Sequence, residues 1–131
     1  MNWKLIFFLS LFGIVMGLLS IFGFTRGIEW ILWIVIAVIC AAVISKKQSP
    51  KYFAHGLVTG LLDGVYNGII QSAFYSMYLQ NNPESIEGFR QSPVNPRFFV
   101  LLMGPLIGLI YGCVIGFFAV LYAKVSKRKT N

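Results

Sequence analysis

The sequence predicts an all-α membrane protein with four transmembrane helices in two antiparallel hairpins and both termini in the cytoplasm. Two observations predict this class. Hydrophobic residues make up 57% of the 131 residues and charged residues only 11%, against about 45–50% and about 25% in soluble domains. Four stretches are also long and apolar enough to span the hydrocarbon core, which takes about 20 residues. The length suits one domain over residues 1–131.

The predicted spans are joined by two short connections and one longer polar loop. They cover about residues 4–24, 28–45, 50–80 and 96–123. No small-residue cleavage site follows the first span, so we expect a retained anchor and not a signal peptide. The longer loop contains Asn82-Pro83-Glu84, which predicts either a plain connector or a short surface helix presenting Ile86 and Phe89.

Lys and Arg residues are divided unevenly between the two predicted sides of the membrane. Eight lie on the side of the two termini and three on the other. The positive-inside rule therefore places both termini in the cytoplasm and residues 81–97 outside. The net charge of +7 is interpreted as this topology signal and not as nucleic-acid binding. The basic tail from Lys124 to Lys129 also predicts attraction to anionic lipid head groups.

Glycines recur every four residues in the third and fourth spans. The two rows are Gly56, Gly60, Gly64 and Gly68, then Gly104, Gly108, Gly112 and Gly116. Helices associate in lipid through small residues that let the backbones approach closely. Because the two spans are antiparallel, this glycine zipper predicts a seam that pairs 56 with 116, 60 with 112, 64 with 108 and 68 with 104. The alternative is that one row faces a second copy of the chain, since the same pattern drives homodimers.

A polar stripe runs beside the glycines of the third span. Its members are His55, Thr59, Asp63, Asn67, Gln71 and Tyr75. Asp63 lies near the predicted bilayer midplane, where an ionised carboxylate costs about 2.5–3.5 kcal/mol, so it should face protein or water. No Lys or Arg lies at that depth to form a salt bridge. Tyr111 is offset from Gly112 as Asp63 is from Gly64, which predicts a hydrogen bond between Asp63 and Tyr111, extended by Asn67.

Two interpretations of the polar stripe remain open. The functional one makes Asp63, with Asn67, Gln71 and His55, a proton or cation site in a small transporter or channel. The structural one makes the same residues an internal hydrogen-bond network that fixes helix register. The spans contain no second buried charge near Asp63, which favours the structural interpretation.

Residues with catalytic or metal-binding chemistry are sparse. His55 is the single histidine, and Cys40 and Cys113 lie inside spans, where cysteine behaves as a small apolar residue. The sequence has no Cys/His cluster, phosphate-binding loop or catalytic triad. We therefore expect no enzyme activity, no cofactor and no metal. The expected partners are the lipid bilayer and either a second copy or a larger membrane assembly, and not nucleic acid.

Three segments carry a resemblance to known proteins. The third span begins KYFAHGLVTGL, the long loop contains NPE, and the last span reads GPLIGLIYGCVIGFFAVLYAK. In this arrangement the chain resembles small four-span bacterial membrane proteins catalogued as a domain of unknown function. The resemblance implies a multi-pass protein of the bacterial cytoplasmic (inner) membrane and no particular activity.

Together these patterns favour a non-enzymatic helix-packing, association or accessory subunit protein. The alternative is a small proton- or cation-coupled transporter or channel that uses Asp63.

Overall fold

The computed structural model describes residues 1–47, 50–84, 91 and 93–129. All regular structure in these ranges is helical, which confirms the all-α class. The helices are α1 (Trp3–Ile21), α2 (Glu29–Lys46), α3 (Tyr52–Ala73), α4 (Tyr75–Asn81) and α5 (Pro96–Lys129). The surface helix considered at Ile86 and Phe89 lies outside the described residues.

Three of the described helices, α1, α2 and α5, are long and apolar enough to cross a membrane. Helix α3 is not among them, although its 22 residues would extend about 33 Å at about 1.5 Å per residue. The difference lies in composition, because α3 carries five of the six residues of the polar stripe and four glycines.

The segment predicted as one span from 50 to 80 consists of two helices that meet at Phe74. The N–H of Phe74 donates to the carbonyl of Ile70 (3.0 Å), and the N–H of Tyr78 donates to the carbonyl of Phe74 (2.9 Å). The N–H of Phe74 therefore closes the last turn of α3, and its carbonyl accepts the first helical bond of α4. Helix α4 ends at Asn81, one residue beyond the predicted end of the span at 80.

Helix α3 is the centre of the bundle, with α5 on one side and α1 on another. Its most extensive contacts are with α5 and then with α1, whereas α2 packs mainly on α5 and touches α1 little. The arrangement differs from two self-contained hairpins, because α1 lies on α3 and not on its chain neighbour α2. The physical reason is that α1 has small residues where it meets α3, and these let the two backbones approach closely. The large side chains of α2 do not allow α1 to approach as closely.

The connection between α1 and α2 is a tight turn that packs against α4. Gly23 and Gly27 adopt φ values of 76° and 80°, in the left-handed region that glycine occupies without a Cβ penalty. The amide of Asn81 donates to the carbonyl of Ile21 (2.9 Å), and the amide of Asn82 donates to that of Ser20 (2.8 Å). The Asn81 bond satisfies a carbonyl that the end of a helix leaves unpaired, whereas the Ser20 carbonyl also accepts from the N–H of Gly23.

The apolar core lies where α1, α2 and α5 meet. It includes Leu9, Met16, Cys40, Ile44 and Ile115, each at most 2% exposed. The buried residues of α2 all lie from Ile36 onward, and its first seven residues, 29–35, are half-buried or exposed. Leu32 and Trp33 of this segment still pack against the core.

Candidate functional site

The glycines of α3 and α5 form one internal contact surface, here called the glycine seam. A Cβ atom added at Gly56 would overlap the backbone of Gly116, and one added at Gly60 would overlap that of Gly112. A Cβ at Gly64 would lie 2.5 Å from the Cα of Gly108, and one at Gly68 would lie 3.1 Å from the Cα of Gly104. The structure thus has the four pairs that the spacing predicts. Both glycine rows are occupied within one chain, so neither is open to a second copy.

Helix α1 makes a second close contact on another side of α3. A Cβ at Gly13 would overlap the backbone of Asp63, and one at Gly17 would lie 3.1 Å from the side chain of Ile70. Helix α3 is therefore held between two neighbours at backbone distance. Close approach of this kind supplies the dispersion contacts that join helices in an apolar solvent.

Asp63 lies at the contact between α3 and α1 and is 0% exposed. Its Oδ1 atom accepts a hydrogen bond from the backbone N–H of Gly13 at 2.9 Å. The predicted bond between Asp63 and Tyr111 is wrong, because the Tyr111 hydroxyl donates to the carbonyl of Trp33 at 2.8 Å. The two side chains do not meet because Asp63 faces α1, whereas Tyr111 is directed toward α2.

Other members of the polar stripe also bind α1 or the residue before it. The Nε2 atom of His55 accepts from the backbone N–H of Asn2 at 2.9 Å, and its Nδ1 atom lies 2.7 Å from the Lys51 carbonyl. The Gln71 amide donates to the Ser20 hydroxyl at 3.1 Å and to Oδ1 of Asn67 at 3.5 Å. Asn67 is thus linked to Gln71 and not to Asp63. The contacts follow the same order along both helices, from the N-terminal to the C-terminal end, so α1 and α3 are parallel.

Two oxygen atoms on this buried face have no hydrogen-bond partner among the described residues. They are Oδ2 of Asp63 and Oγ1 of Thr59, one helical turn earlier on α3. Asp63 also lies close enough to Cys40 and Tyr111 to interact with them electrostatically. Within the described ranges, no three His, Cys, Asp or Glu side chains are grouped so that they could hold a metal ion.

A cavity of about 660 Å³ opens between the first half of α2 and the helices α3 and α5. Its lining is mostly apolar and includes the aromatic side chains of Trp30, Trp33 and Phe99. The polar groups that line it include Glu29, Asn67, Gln71 and Tyr111. The cavity lies beside the segment of α2, residues 29–35, that is half-buried or exposed.

The residues predicted as one polar site are therefore divided between two places. Asp63 and His55 lie against α1, whereas Asn67, Gln71 and Tyr111 reach the cavity. Sequence reasoning missed Glu29, the first residue of α2. The available signal was that Glu29 and Trp33 lie four residues apart, on one face of a helix.

The Tyr111 hydrogen bond gives a testable prediction for the contact between α2 and α5. We expect Tyr111→Phe to lower the free energy of unfolding in detergent by about 1 kcal/mol, the net value of a typical hydrogen bond. Thermal unfolding followed by circular dichroism measures it. The matched control is Tyr122→Phe on the same helix, where the side chain is exposed and no change is expected. An equal effect of the two substitutions would contradict the assignment.

Comparison of this chain with models of known protein families, with curated proteins and with solved structures finds no match. The resemblance to small four-span bacterial membrane proteins therefore depends on its sequence segments alone.

Proposed function

We propose that this protein is a non-enzymatic membrane protein that crosses the bilayer four times and acts as an accessory subunit. The observation that carries the proposal is that side chains of the polar stripe form hydrogen bonds within the bundle. Asp63, His55 and Gln71 each form a hydrogen bond with α1 or with the residue before it. Side chains used in this way fix helix register, the structural role open to such residues. The apolar outer faces of the bundle are then left for lipid and for a partner.

The position of α3 supports four crossings. It runs antiparallel to the apolar helix α5 along the whole glycine seam, so the two helices share one depth. Within α3 only Phe53, Ile69 and Ala73 are exposed. A helix covered in this way carries its polar residues across lipid without exposing them, which removes the penalty that such residues otherwise incur.

The division of Lys and Arg supports a location in a bacterial cytoplasmic membrane with both termini inside. Single cysteines at Gln91 and Ser126 test this orientation in whole cells with a membrane-impermeant maleimide. We expect Gln91→Cys to react in intact cells and Ser126→Cys to react only after permeabilisation. The reverse pattern would overturn the orientation.

The exposed apolar surface is available both to lipid and to another membrane chain. Large apolar side chains are exposed on α1, α2 and α5, among them Phe8 at 69%, Trp30 at 65% and Leu102 at 65%. Extraction of native membranes into polymer-bounded lipid discs, followed by native mass spectrometry, tests the accessory role. We expect an assembly of fixed stoichiometry heavier than one 14.7 kDa chain. Recovery of the single chain alone would contradict it.

The unpartnered oxygens of Asp63 and Thr59 favour one second candidate, a proton- or cation-coupled transporter. The test reconstitutes the wild type and Asp63→Asn in liposomes and compares ion flux driven by a pH gradient. Wild-type flux that Asp63→Asn abolishes would support transport. Absence of flux from the wild type, with both proteins equally folded, would remove this candidate and leave the structural role.

A further inference from the structure

We propose that the cavity between α2, α3 and α5 binds a lipophilic organic monocation, with the Glu29 carboxylate as its counter-charge and aromatic side chains around it. The site is separate from the Asp63 contact, because neither Asp63 nor Gly13 lines the cavity. The proposal therefore does not depend on the accessory role or on transport.

The size and lining of the cavity suit a small organic molecule. Its volume of about 660 Å³ lies within the range of about 300–1,000 Å³ that is usual for ligand pockets. Such pockets are mostly apolar and have a few polar groups that orient the ligand. Here those polar groups include Glu29 and the amides of Asn67 and Gln71.

The charged group that lines the cavity is an acid, which indicates a cationic ligand. Glu29 is half-buried, and Trp33 lies one helical turn later on the same face of α2. Among the described residues that line the cavity there is no Lys or Arg. Arg26, three positions earlier, pairs with Glu84 at 2.7 Å instead. A carboxylate in an apolar recess without a basic neighbour is stabilised by a ligand that supplies the positive charge.

The aromatic side chains suit the same ligand class. Trp30, Trp33, Phe99 and Tyr111 all line the cavity. Trp33 and Tyr111 form an edge-to-face pair with ring centroids 4.9 Å apart, and the Tyr111 hydroxyl is bonded to the Trp33 carbonyl. Both rings are thereby held in place before a ligand arrives. Aromatic faces attract organic cations, and Trp does so most strongly.

The test uses two ions of nearly the same shape and opposite charge, tetraphenylphosphonium and tetraphenylborate. Their binding to the purified full-length protein in detergent is measured by isothermal titration calorimetry. We expect tetraphenylphosphonium to bind and to be preferred over tetraphenylborate by tenfold or more, about what one close charge contact in a partly buried site supplies. Equal binding of both ions would show a cavity that accepts any apolar group, such as a lipid chain, and would overturn the proposal. Failure of the folded protein to bind either ion would overturn it too.

Three variants locate the charge. Glu29→Gln is expected to weaken tetraphenylphosphonium binding about tenfold. Glu29→Asp keeps the negative charge and should keep the preference for the cation, which separates loss of charge from loss of fold. Asp63→Asn should also retain binding, since Asp63 lies outside the cavity. If Glu29→Gln binds both ions as the wild type does, Glu29 is not the counter-charge and the proposal fails.

Discussion

Replacement of Gly60 by alanine is expected to lower the free energy of unfolding in detergent by about 3 kcal/mol, the upper range for overpacking a well-packed interior. The added Cβ would overlap the backbone of Gly112 and approach the carbonyl carbon of Tyr111 to 3.0 Å. These are backbone atoms, so no flexible side chain is available to move aside. Relief requires α3 and α5 to separate, and the loss of close contact then extends along the whole glycine seam. Equilibrium unfolding in a detergent titration measures the change.

Gly68→Ala is the matched control for Gly60→Ala, because it makes the same substitution in the same helix at a looser contact. Its Cβ would lie 3.1 Å from the Cα of Gly104, which a shift of a few tenths of an ångström relieves. We expect a loss of about 1 kcal/mol or less at this position. Gly64→Leu and Gly108→Leu should be more severe than either. Equal losses for Gly60→Ala and Gly68→Ala would contradict the seam geometry.

Asp63→Ala is expected to lower the free energy of unfolding by about 2 kcal/mol. The substitution removes the only acceptor that α3 provides to the backbone N–H of Gly13 and leaves a void at a site that is 0% exposed. Both changes fall on the contact between α1 and α3. Hydrogen exchange of α1 amides provides a second measurement, and we expect faster exchange near Gly13.

Asp63→Asn separates the hydrogen bond from the charge. Asparagine keeps an Oδ1 acceptor and nearly the same volume, so we expect a loss of about 0.5 kcal/mol or less if the residue serves helix register. A large loss in Asp63→Asn, equal to that of Asp63→Ala, would show that the carboxyl group itself is required.

Substitutions at Gly60 and Asp63 test two different faces of α3. Gly60 lies on the face of α3 toward α5, and Asp63 lies on the face toward α1. Because α3 is covered on both faces, it tolerates a composition that a lipid-exposed helix would not. This explains why α3 differs from the three strongly apolar helices of the described chain.

The glycine seam was open to prediction because it depends on sequence spacing alone. Two antiparallel helices with glycine every four residues have one register that pairs all eight, and that register occurs. The partner of Asp63 was not open to prediction in the same way. Tyr111 lies at a suitable level along the seam, but its sequence position gives only that level. It does not say toward which neighbouring helix the Tyr111 side chain is directed. The decisive residue, Gly13, contributes a backbone N–H, which every helix possesses and no sequence pattern marks.

The cavity could not be predicted from the sequence either, because it depends on the distance between α2 and the neighbouring helices. Glu29 and Trp33 on α2 are distant in sequence from Gln71 on α3, and only the packing of the two helices leaves space between them. The sequence by itself determined the helical class, the apolar helices and the pairing of the glycines, because composition and periodicity act locally along each helix. The tertiary structure alone decided that α1 covers the polar stripe and that Glu29 faces a cavity, because both depend on which helices become neighbours and on their rotation about their axes.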